Sequence, residues 1–190
     1  MPALHDVVVS YPRLLLVGIN PGLRSGAMGH HFAGNGNPFW RLLQAARLTP
    51  TLIPYEEDQS LAALGIALTN LCARTTRTAA ELTPAEIARG RAILTRKIAD
   101  WHPSVVAFVG LSLYRMYIGP SATPGAGVKP EVIDGARVFV VPNPSGLNAS
   151  FPGFDHKLIW FARLRAFVDR VSPKTRPTRA GIRKRLTAAR

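Results

Sequence analysis

Hydrophobic residues along the chain are concentrated in four short runs, separated by longer stretches in which apolar and polar residues mix. The runs are mostly aliphatic and lack the strict alternation of a half-exposed strand, so we predict buried strands of a parallel sheet. They are Leu14–Val17, Ile66–Leu68, Val105–Val109 and Val138–Val141. Because helical patterns lie between them, the sequence predicts an α/β fold, a three-layer α/β/α sandwich with a central, mainly parallel sheet of four to five strands.

Helical spacing of apolar residues marks the stretches between and after these strands. The clearest begins at Thr83, a predicted N-cap that is followed by Pro84 and by Glu86, which completes a capping box. The predicted helices are Pro38–Arg47, Glu57–Leu64, Thr83–Asp100, Leu111–Tyr117 and Asp155–Val171. Ligands of such folds bind beyond the carboxyl ends of the strands, so we expect the functional residues in the loops there.

Positive charge is the main feature of the composition. The 190 residues include 24 Lys and Arg against 11 Asp and Glu, which gives a formal net charge of +13. Such an excess favours a polyanionic partner, either nucleic acid or an anionic membrane surface, with acidic proteins as a weaker third option. No run approaches the roughly 20 apolar residues of a membrane span, and no signal peptide is visible. The single Cys72 excludes an internal disulfide framework and cysteine-based metal clusters, and we expect a soluble, cytoplasmic protein.

The charge is unevenly distributed along the chain. Seven Lys and Arg and no acid lie in residues 173–190, which we interpret as a disordered basic tail behind a domain of residues 1–172. This tail is either a nucleic-acid-binding arm or a solubilising segment. Within the domain, no Asp or Glu occurs between Asp6 and Glu56, so chemistry in that stretch is predicted to have no carboxylate nearby.

Polar loops that contain glycine or threonine follow three of the predicted strands. The first and the last of these loops place Asn-Pro close to a glycine, which permits tight turns and a close approach of the backbone to a ligand. Two such loops from different strands can converge on one pocket. The motifs are Gly18–Gly22, Gly29–Phe32 with Asn37–Trp40, Thr69–Asn70 with Arg74–Thr76, and Asn143–Leu147.

In this order and at these strand ends, the motifs resemble those of the mismatch-specific uracil-DNA glycosylase and thymine-DNA glycosylase family, within the uracil-DNA glycosylase superfamily. The resemblance covers roughly residues 13–170. It implies the uracil-DNA glycosylase fold and a monofunctional glycosylase of base excision repair. Such an enzyme flips out uracil, or thymine or a modified pyrimidine, mispaired with guanine and hydrolyses its N-glycosidic bond. The implied partner is double-stranded DNA with mispaired or damaged pyrimidines. No cofactor, metal or membrane is implied, and the protein would be a monomer that is nucleoid-associated if bacterial.

The resemblance implies that Asn20 holds the attacking water and that Thr76 helps to position it. An amide cannot usefully accept a proton at neutral pH, so Asn20 would orient the water without acting as a general base. The barrier must then fall mainly through bond cleavage and stabilisation of the departing base, so bases that leave more easily should react faster. From the residues alone, Asn20 is equally well explained as a turn residue before Pro21, and Thr76 as an ordinary loop hydroxyl.

A second group of residues corresponds to the pocket for the flipped base. Phe32 would stack on the base, an interaction worth about 1–3 kcal/mol, and the amide of Asn70 would match the base edge. His31 would assist near the departing base or its phosphate. The alternative for Phe32 is a position in the core. The alternative for Asn70 is a loop asparagine whose side chain hydrogen-bonds its own backbone. The two adjacent histidines lack a third ligand for a metal. The predicted pocket residues are Ile19, Gly22, His31, Phe32 and Asn70, with Phe39 and Trp40 packed beneath the loop.

The last motif is predicted to contact DNA. Leu147 takes the family's wedge position, where an apolar side chain fills the space that the flipped base leaves; from the residues alone it could be a buried loop leucine. Ser145 and the backbone amides of Gly146 and Leu147 would suit phosphate contacts. One branch of the family carries an arginine shortly after this motif, where the chain has Asn-Ala-Ser, so no arginine is expected to fill the gap. The predicted DNA-binding residues are Asn143, Pro144, Ser145, Gly146, Leu147 and Asn148.

Two other functions are open at this point. The chain could be a catalytically inactive DNA-binding module of the same fold, or a nucleotide-binding enzyme that uses Gly18–Gly22 as a phosphate loop. The second is disfavoured because neither a Gly-Lys-Ser/Thr ending nor a Gly-x-Gly-x-x-Gly pattern is present. No lysine lies in the motifs, so a Schiff-base lyase activity is not expected.

Overall fold

The four predicted strands form neighbouring parallel strands of one sheet. The computed structural model describes residues 4–34, 36–145 and 150–172. A fifth strand, β4, runs antiparallel at the edge, and the strand order is β2-β1-β3-β5-β4. The strands are β1 (Leu14–Gly18), β2 (Ile66–Asn70), β3 (Val105–Val109), β4 (Gly127–Ile133) and β5 (Ala136–Val141).

Helices of the described residues connect the strands and cover the sheet. The predicted capping box is confirmed, because Thr83 Oγ1 accepts from the Glu86 N–H and the Thr83 N–H donates to the Glu86 carboxylate. The α-helices are α1 (Leu23–Met28), α2 (Phe39–Ala45), α3 (Pro84–Trp101), α4 (Leu111–Ile118) and α5 (Gly153–Val171). Two 3₁₀ helices span Tyr55–Leu64 and Ala79–Glu81. Of the helices in the described ranges, none is long and apolar enough to cross a membrane.

Both faces of the sheet are buried, which explains why the strands are apolar without alternation. Leu14 and Leu16 of β1 belong to a cluster with residues of α2 and α5. Leu15 and Val17 belong to a second cluster, on the opposite face, with residues of α3 and α4. The chain is therefore a three-layer α/β/α sandwich, as predicted.

The strand order changes direction beside β1, and this places the candidate site. The chain passes from β1 to β2 on one side of β1 and then crosses to β3 on the other side. In open α/β sheets such a switch point opens a crevice beyond the carboxyl ends of the strands, where ligands bind. The Gly18–Gly22 motif begins at this crevice.

Three elements differ from the sequence-based prediction. β4 was not predicted because Lys, Pro130 and Glu interrupt its apolar pattern; an edge strand tolerates the missing N–H of a proline. α1 has only six residues and includes Gly26, where a Cβ would strike the side chain of Thr75. The predicted helix Glu57–Leu64 is the 3₁₀ helix, with non-helical backbone angles at Glu57. Residues 173–190, the predicted basic tail, lie outside the described residues.

Candidate active site

Asn20 lies in the loop after β1, and its amide is bound to the loop after β2. Nδ2 donates to Thr76 Oγ1 at 2.7 Å and to the Arg74 carbonyl oxygen at 2.9 Å, and it lies 3.3 Å from the Pro21 carbonyl oxygen. These acceptors fix the orientation of the amide plane. Within the described part of the chain, no group donates a hydrogen bond to Oδ1, so this oxygen can accept one from a bound molecule.

Asn20 and Thr76 meet because the pairing of β1 with β2 continues beyond the strands. The Leu71 N–H donates to the Gly18 carbonyl oxygen at 2.8 Å, one residue past the end of β2. Further along, the Thr76 N–H donates to the Pro21 carbonyl oxygen at 3.1 Å. The two loops thus stay side by side beyond the strands, although the isolated bridge between Gly22 and Thr76 is shifted by two residues from the register of Gly18 with Asn70, and the Asn20 side chain contacts Thr76.

Thr76 acts on Asn20 directly. Its side chain is buried, and its hydroxyl accepts from Asn20 Nδ2 while donating to the Thr78 carbonyl oxygen at 2.8 Å. The hydroxyl proton is therefore engaged by the backbone. In this arrangement Thr76 orients the Asn20 amide, and its own proton is already donated to the backbone.

The loop after β2 is anchored to the start of α3 by an ion pair. The Arg74 guanidinium, whose residue supplies a carbonyl acceptor to Asn20, pairs with the Glu86 carboxylate and donates to the Glu81 carbonyl oxygen at 2.7 Å. The hydrogen bond from Arg74, followed by the bonds from Thr83, lowers the pKa of Glu86 to about 2. Sequence reasoning identified Glu86 only as a helix cap, because a capping box carries no signal for a second partner 12 residues away.

Phe32 and Asn70 come together over Gly18. A Cβ at Gly18 would strike the Asn70 amide oxygen and would lie 3.5 Å from Phe32 Cζ, so the glycine allows this approach. The half-buried Phe32 ring stacks on Phe39, with centroids 3.7 Å apart and planes 15° apart. Phe39 and Trp40 are buried, which confirms their predicted packing beneath the loop. Phe32 thus has one face on the core, while its tip lies beside the amide predicted to read the base.

The backbone of Phe32 is strained. Its φ of +48° lies in the left-handed region, which costs a residue other than glycine about 1–3 kcal/mol. Such strain persists only where surrounding contacts determine the conformation, and it clusters at ligand-binding sites. The contacts that hold this loop therefore determine where the ring is placed.

A buried carboxylate supplies those contacts. Asp58 is 1% exposed; its Oδ2 accepts from the His31 N–H at 2.9 Å, and its Oδ1 lies 3.3 Å from His30 Nδ1. The expectation that the acid-free stretch has no carboxylate nearby is wrong, because the 3₁₀ helix Tyr55–Leu64 brings Asp58 against it. In the sequence Asp58 follows two glutamates at the start of the predicted helix Glu57–Leu64, a pattern typical of a solvated surface, so no signal marked it.

The other three predicted pocket residues, His31, Ile19 and Gly22, differ in their surroundings. The His31 ring is 2% exposed, with Nε2 3.1 Å from the His5 carbonyl oxygen, and burial lowers its pKa. The predicted contact of this ring with a base or phosphate would need the ring to leave that position. The Ile19 side chain packs on the cluster between the sheet, α3 and α4. At Gly22, with φ −71°, a Cβ would meet no described atom within 4 Å.

The last motif begins with a turn closed by its own side chain. Asn143 Oδ1 accepts from the Ser145 N–H at 2.9 Å, and Pro144 between them is buried. A Cβ added at Gly110 would lie 3.7 Å from the Asn143 Cβ, so the loop after β5 lies against the loop after β3. The wedge role stays a prediction, because the remaining residues of the motif lie outside the described ranges: Gly146, Leu147 and Asn148.

The arrangement offers polar groups that bind and orient a neutral ligand. Asn20 Oδ1 is an oriented acceptor, and the Asn70 amide can both donate and accept beside an aromatic ring. Across the ranges that the structure describes, no three His, Cys, Asp or Glu side chains are grouped as metal ligands would be.

Two comparisons with known proteins identify the family of the chain. Residues 6–165 match the sequence profile of the Uracil DNA glycosylase superfamily. The chain is also similar to a G/U mismatch-specific uracil DNA glycosylase of Schizosaccharomyces pombe (strain 972), with 33% identity over 169 residues, which are 84% of this chain and 52% of the relative. The chain thus spans about half the length of that curated relative. Since the profile covers most of the chain, including all four loop motifs, the chain belongs to the Uracil DNA glycosylase superfamily.

Proposed function

We propose that the chain is a monofunctional DNA glycosylase that flips uracil mispaired with guanine out of duplex DNA and hydrolyses its N-glycosidic bond. Thymine and modified pyrimidines opposite guanine are further candidate substrates. Membership of the superfamily and the name of the fission-yeast relative support the reaction class. The observation that carries the proposal is the Asn20 amide, whose Nδ2 is held by Thr76 and Arg74 while Oδ1 receives no hydrogen bond from the described residues.

The first step is the extrusion of the base. A stacked base is out of reach of the protein, and flipping costs a few kcal/mol, less for a mispaired base. The flipped uracil would lie near Gly18, where the Asn70 amide can pair with a carbonyl and the imino N–H of its edge. The exposed part of the Phe32 ring would stack on the base, and its core-facing side is supported by Phe39.

The second step is the transfer of a water hydroxyl to C1′ of the sugar. A water that donates to Asn20 Oδ1 has an oxygen lone pair free to face C1′. Because the amide does not take a proton, the C1′–N bond must break ahead of the attack, and the departing base finally keeps the proton that the water releases. Uracil should therefore leave faster than bases whose anions are less stable.

The test is excision from short duplexes that contain G·U, G·T or only normal pairs, scored as alkali-labile strand breaks. The proposal requires breaks at G·U and none in the normal duplex. Asn20→Ala should lower the single-turnover rate by at least about 10²-fold, the cost of a misplaced reactant, with nearly unchanged affinity for the duplex. If wild-type protein binds the duplex and leaves it intact, the chain is a DNA-binding module of this fold.

A matched control for Asn20 lies in the same region of the chain. Asn37 also precedes a proline, and its Oδ1 accepts from the Phe39 N–H at 3.1 Å, which is a structural turn contact. Asn37→Ala should lower the free energy of unfolding and leave the excision rate of the folded protein close to wild type. Equal losses of rate and affinity in Asn20→Ala would reduce Asn20 to a turn residue as well.

A further inference from the structure

A buried lysine lies behind the loop that follows β5. Lys157, in the second turn of α5, is 3% exposed, and its Nζ donates to the Ser145 carbonyl oxygen at 3.0 Å. Among the described residues, no carboxylate lies within ion-pair distance of this ammonium group. Neither the superfamily motifs quoted above nor the proposed reaction steps use this residue.

Burial of an ammonium group is unfavourable and needs an explanation. A lysine normally extends its charge to solvent along an apolar stem, and it is almost never fully buried unless it is paired. Here the ammonium hydrogen-bonds a main-chain carbonyl of the last motif, a charge-assisted bond that is stronger than a neutral one. Since the partner is a backbone atom, the contact specifies the position of the loop and not the identity of a side chain.

The segment Asn143–Ser145 is held from two directions. The Asn143 side chain accepts from the Ser145 N–H at 2.9 Å, and Lys157 donates to the Ser145 carbonyl oxygen on the other side of the same residue. Asn143, Pro144 and Ser145 are themselves predicted to contact DNA, so their placement bears on the predicted binding surface. The uncompensated positive charge beneath this loop also favours a nearby phosphate.

We propose that Lys157 is a positioning residue that fixes Asn143–Ser145 in the orientation in which this segment engages the DNA backbone. The inference rests on the proposed function and adds a determinant of DNA affinity to it. Lys157 contacts the loop after β5, whereas the Asn20–Thr76 pair lies in the loops after β1 and β2. Loss of Lys157 therefore weakens duplex binding and leaves the rate of the bound complex nearly unchanged.

The chain contains a matched control for this lysine. Lys129 is also 3% exposed, and its Nζ donates to the carbonyl oxygens of Thr123, Pro124 and Gly125 at 2.9, 2.9 and 2.7 Å. It holds a loop before the edge strand β4 that is not part of any motif. The two lysines are alike in burial and in the type of partner, so a general effect of removing a buried lysine appears in both variants.

The experiment compares Lys157→Met with Lys129→Met. Amide hydrogen exchange of free protein reports the Ser145 N–H, and titration with a G·U duplex that carries a non-hydrolysable 2′-fluoro nucleotide reports affinity. Lys157→Met should raise the exchange rate at Ser145 and weaken binding by roughly tenfold, the factor expected for one charged hydrogen bond. Its single-turnover rate at saturating protein should stay near wild type, and Lys129→Met should change none of these three readouts.

The inference is overturned if exchange at Ser145 does not rise, or if both variants bind the duplex equally well. A loss confined to the saturated rate also overturns it. Should Lys157→Met fail to fold, Lys157→Gln and Lys129→Gln carry the same comparison. If wild-type protein binds the duplex without excising the base, only the proposed function is refuted, because the role of Lys157 is still tested by the duplex affinity of its variants. If wild-type protein does not bind the duplex, both proposals are refuted.

Discussion

The candidate site has two sides that are built in different ways. The side proposed to hold the water, the water side, consists of Asn20, Arg74 and Thr76, which lie in the loops that follow the paired strands β1 and β2. The base side is the loop His30–Phe32, which hydrogen-bonds the distant Asp58 carboxylate and stacks on the core through its ring. The water side is thus positioned by two loops that follow paired strands of the sheet, whereas the base side is held by a buried carboxylate from a 3₁₀ helix outside the sheet.

This difference predicts which kinetic quantity each side controls. A distortion of the water side misplaces the water relative to C1′ and lowers the rate of the bound complex. A distortion of the base side removes contacts with the flipped base and lowers the affinity for damaged DNA. Substitutions that loosen one side at a time therefore test whether the two sides are independent.

The largest effect is expected from Asp58→Ala on the base side. The buried His31 N–H would lose its acceptor, and an unsatisfied buried donor costs about 1–3 kcal/mol, so the free energy of unfolding should fall by that amount. The strained Phe32 loop would relax, and affinity for a G·U duplex should fall more than the saturated excision rate. Denaturant unfolding and duplex titration measure the two quantities.

Asp58→Asn is the control for this substitution, because its amide oxygen can still accept from the His31 N–H. It should therefore retain most of the stability and most of the affinity. A saturated excision rate that falls as steeply as affinity in Asp58→Ala would show that the two sides are coupled.

Most of the fold could be predicted because its signals are local. The strands buried on both faces are uniform apolar runs. The start of α3 is predicted by Thr83, Pro84 and Glu86. β4 was not predicted because its buried Lys129 and its Pro130 do not fit the pattern of a strand. Only the tertiary structure supplies the carbonyl groups that bind this lysine. Strand propensity reflects the residue types along the sequence, so it does not predict an edge strand that depends on polar contacts with other segments.

The two sides of the site were predictable to different degrees, because only the water side follows directly from the predicted strands. Asn20 and Thr76 follow adjacent strands, so the strand prediction and the resemblance together place them at one sheet edge, and the structure joins them. The support of Phe32 by Asp58 depends on a contact between segments 27 residues apart, which no pattern along the chain encodes. The buried His31 ring, whose Nε2 lies 3.1 Å from the His5 carbonyl oxygen, was likewise not foreseen.

A smaller effect is expected from Thr76→Val on the water side. Valine keeps the shape of threonine but removes the acceptor for Asn20 Nδ2, so the amide would be held mainly by the Arg74 carbonyl oxygen. One hydrogen bond is worth about 0.5–1.5 kcal/mol, so the single-turnover rate should fall by roughly twofold to tenfold with unchanged duplex affinity. Thr76→Ser keeps the hydroxyl and should retain the wild-type rate; an affinity loss in Thr76→Val equal to its rate loss would contradict the assignment.

The smallest effect is a difference in how the two sides respond to acid. Burial, opposed by the weaker influence of Asp58, lowers the pKa of His31 below its ordinary 6.5, so the native state favours the neutral ring. The stability that this ring contributes is complete above pH 6.5 and is lost as the pH falls through its lowered pKa. On the water side, the pKa of Glu86 is lowered from 4.5 to about 2, so the contribution of the Arg74–Glu86 pair is complete above pH 4.5 and is lost only towards pH 2.

Denaturant unfolding over this pH range distinguishes the two contributions. Between pH 6.5 and 4.5 the free energy of unfolding of wild type should decline, and that of His31→Gln should decline less, because glutamine does not titrate. Glu86→Gln should run parallel to wild type above pH 4.5, and the two curves should converge only below it. If the His31→Gln curve runs parallel to wild type above pH 4.5, His31 does not cause the acid sensitivity in this range. The two sides would then not differ in their response to acid.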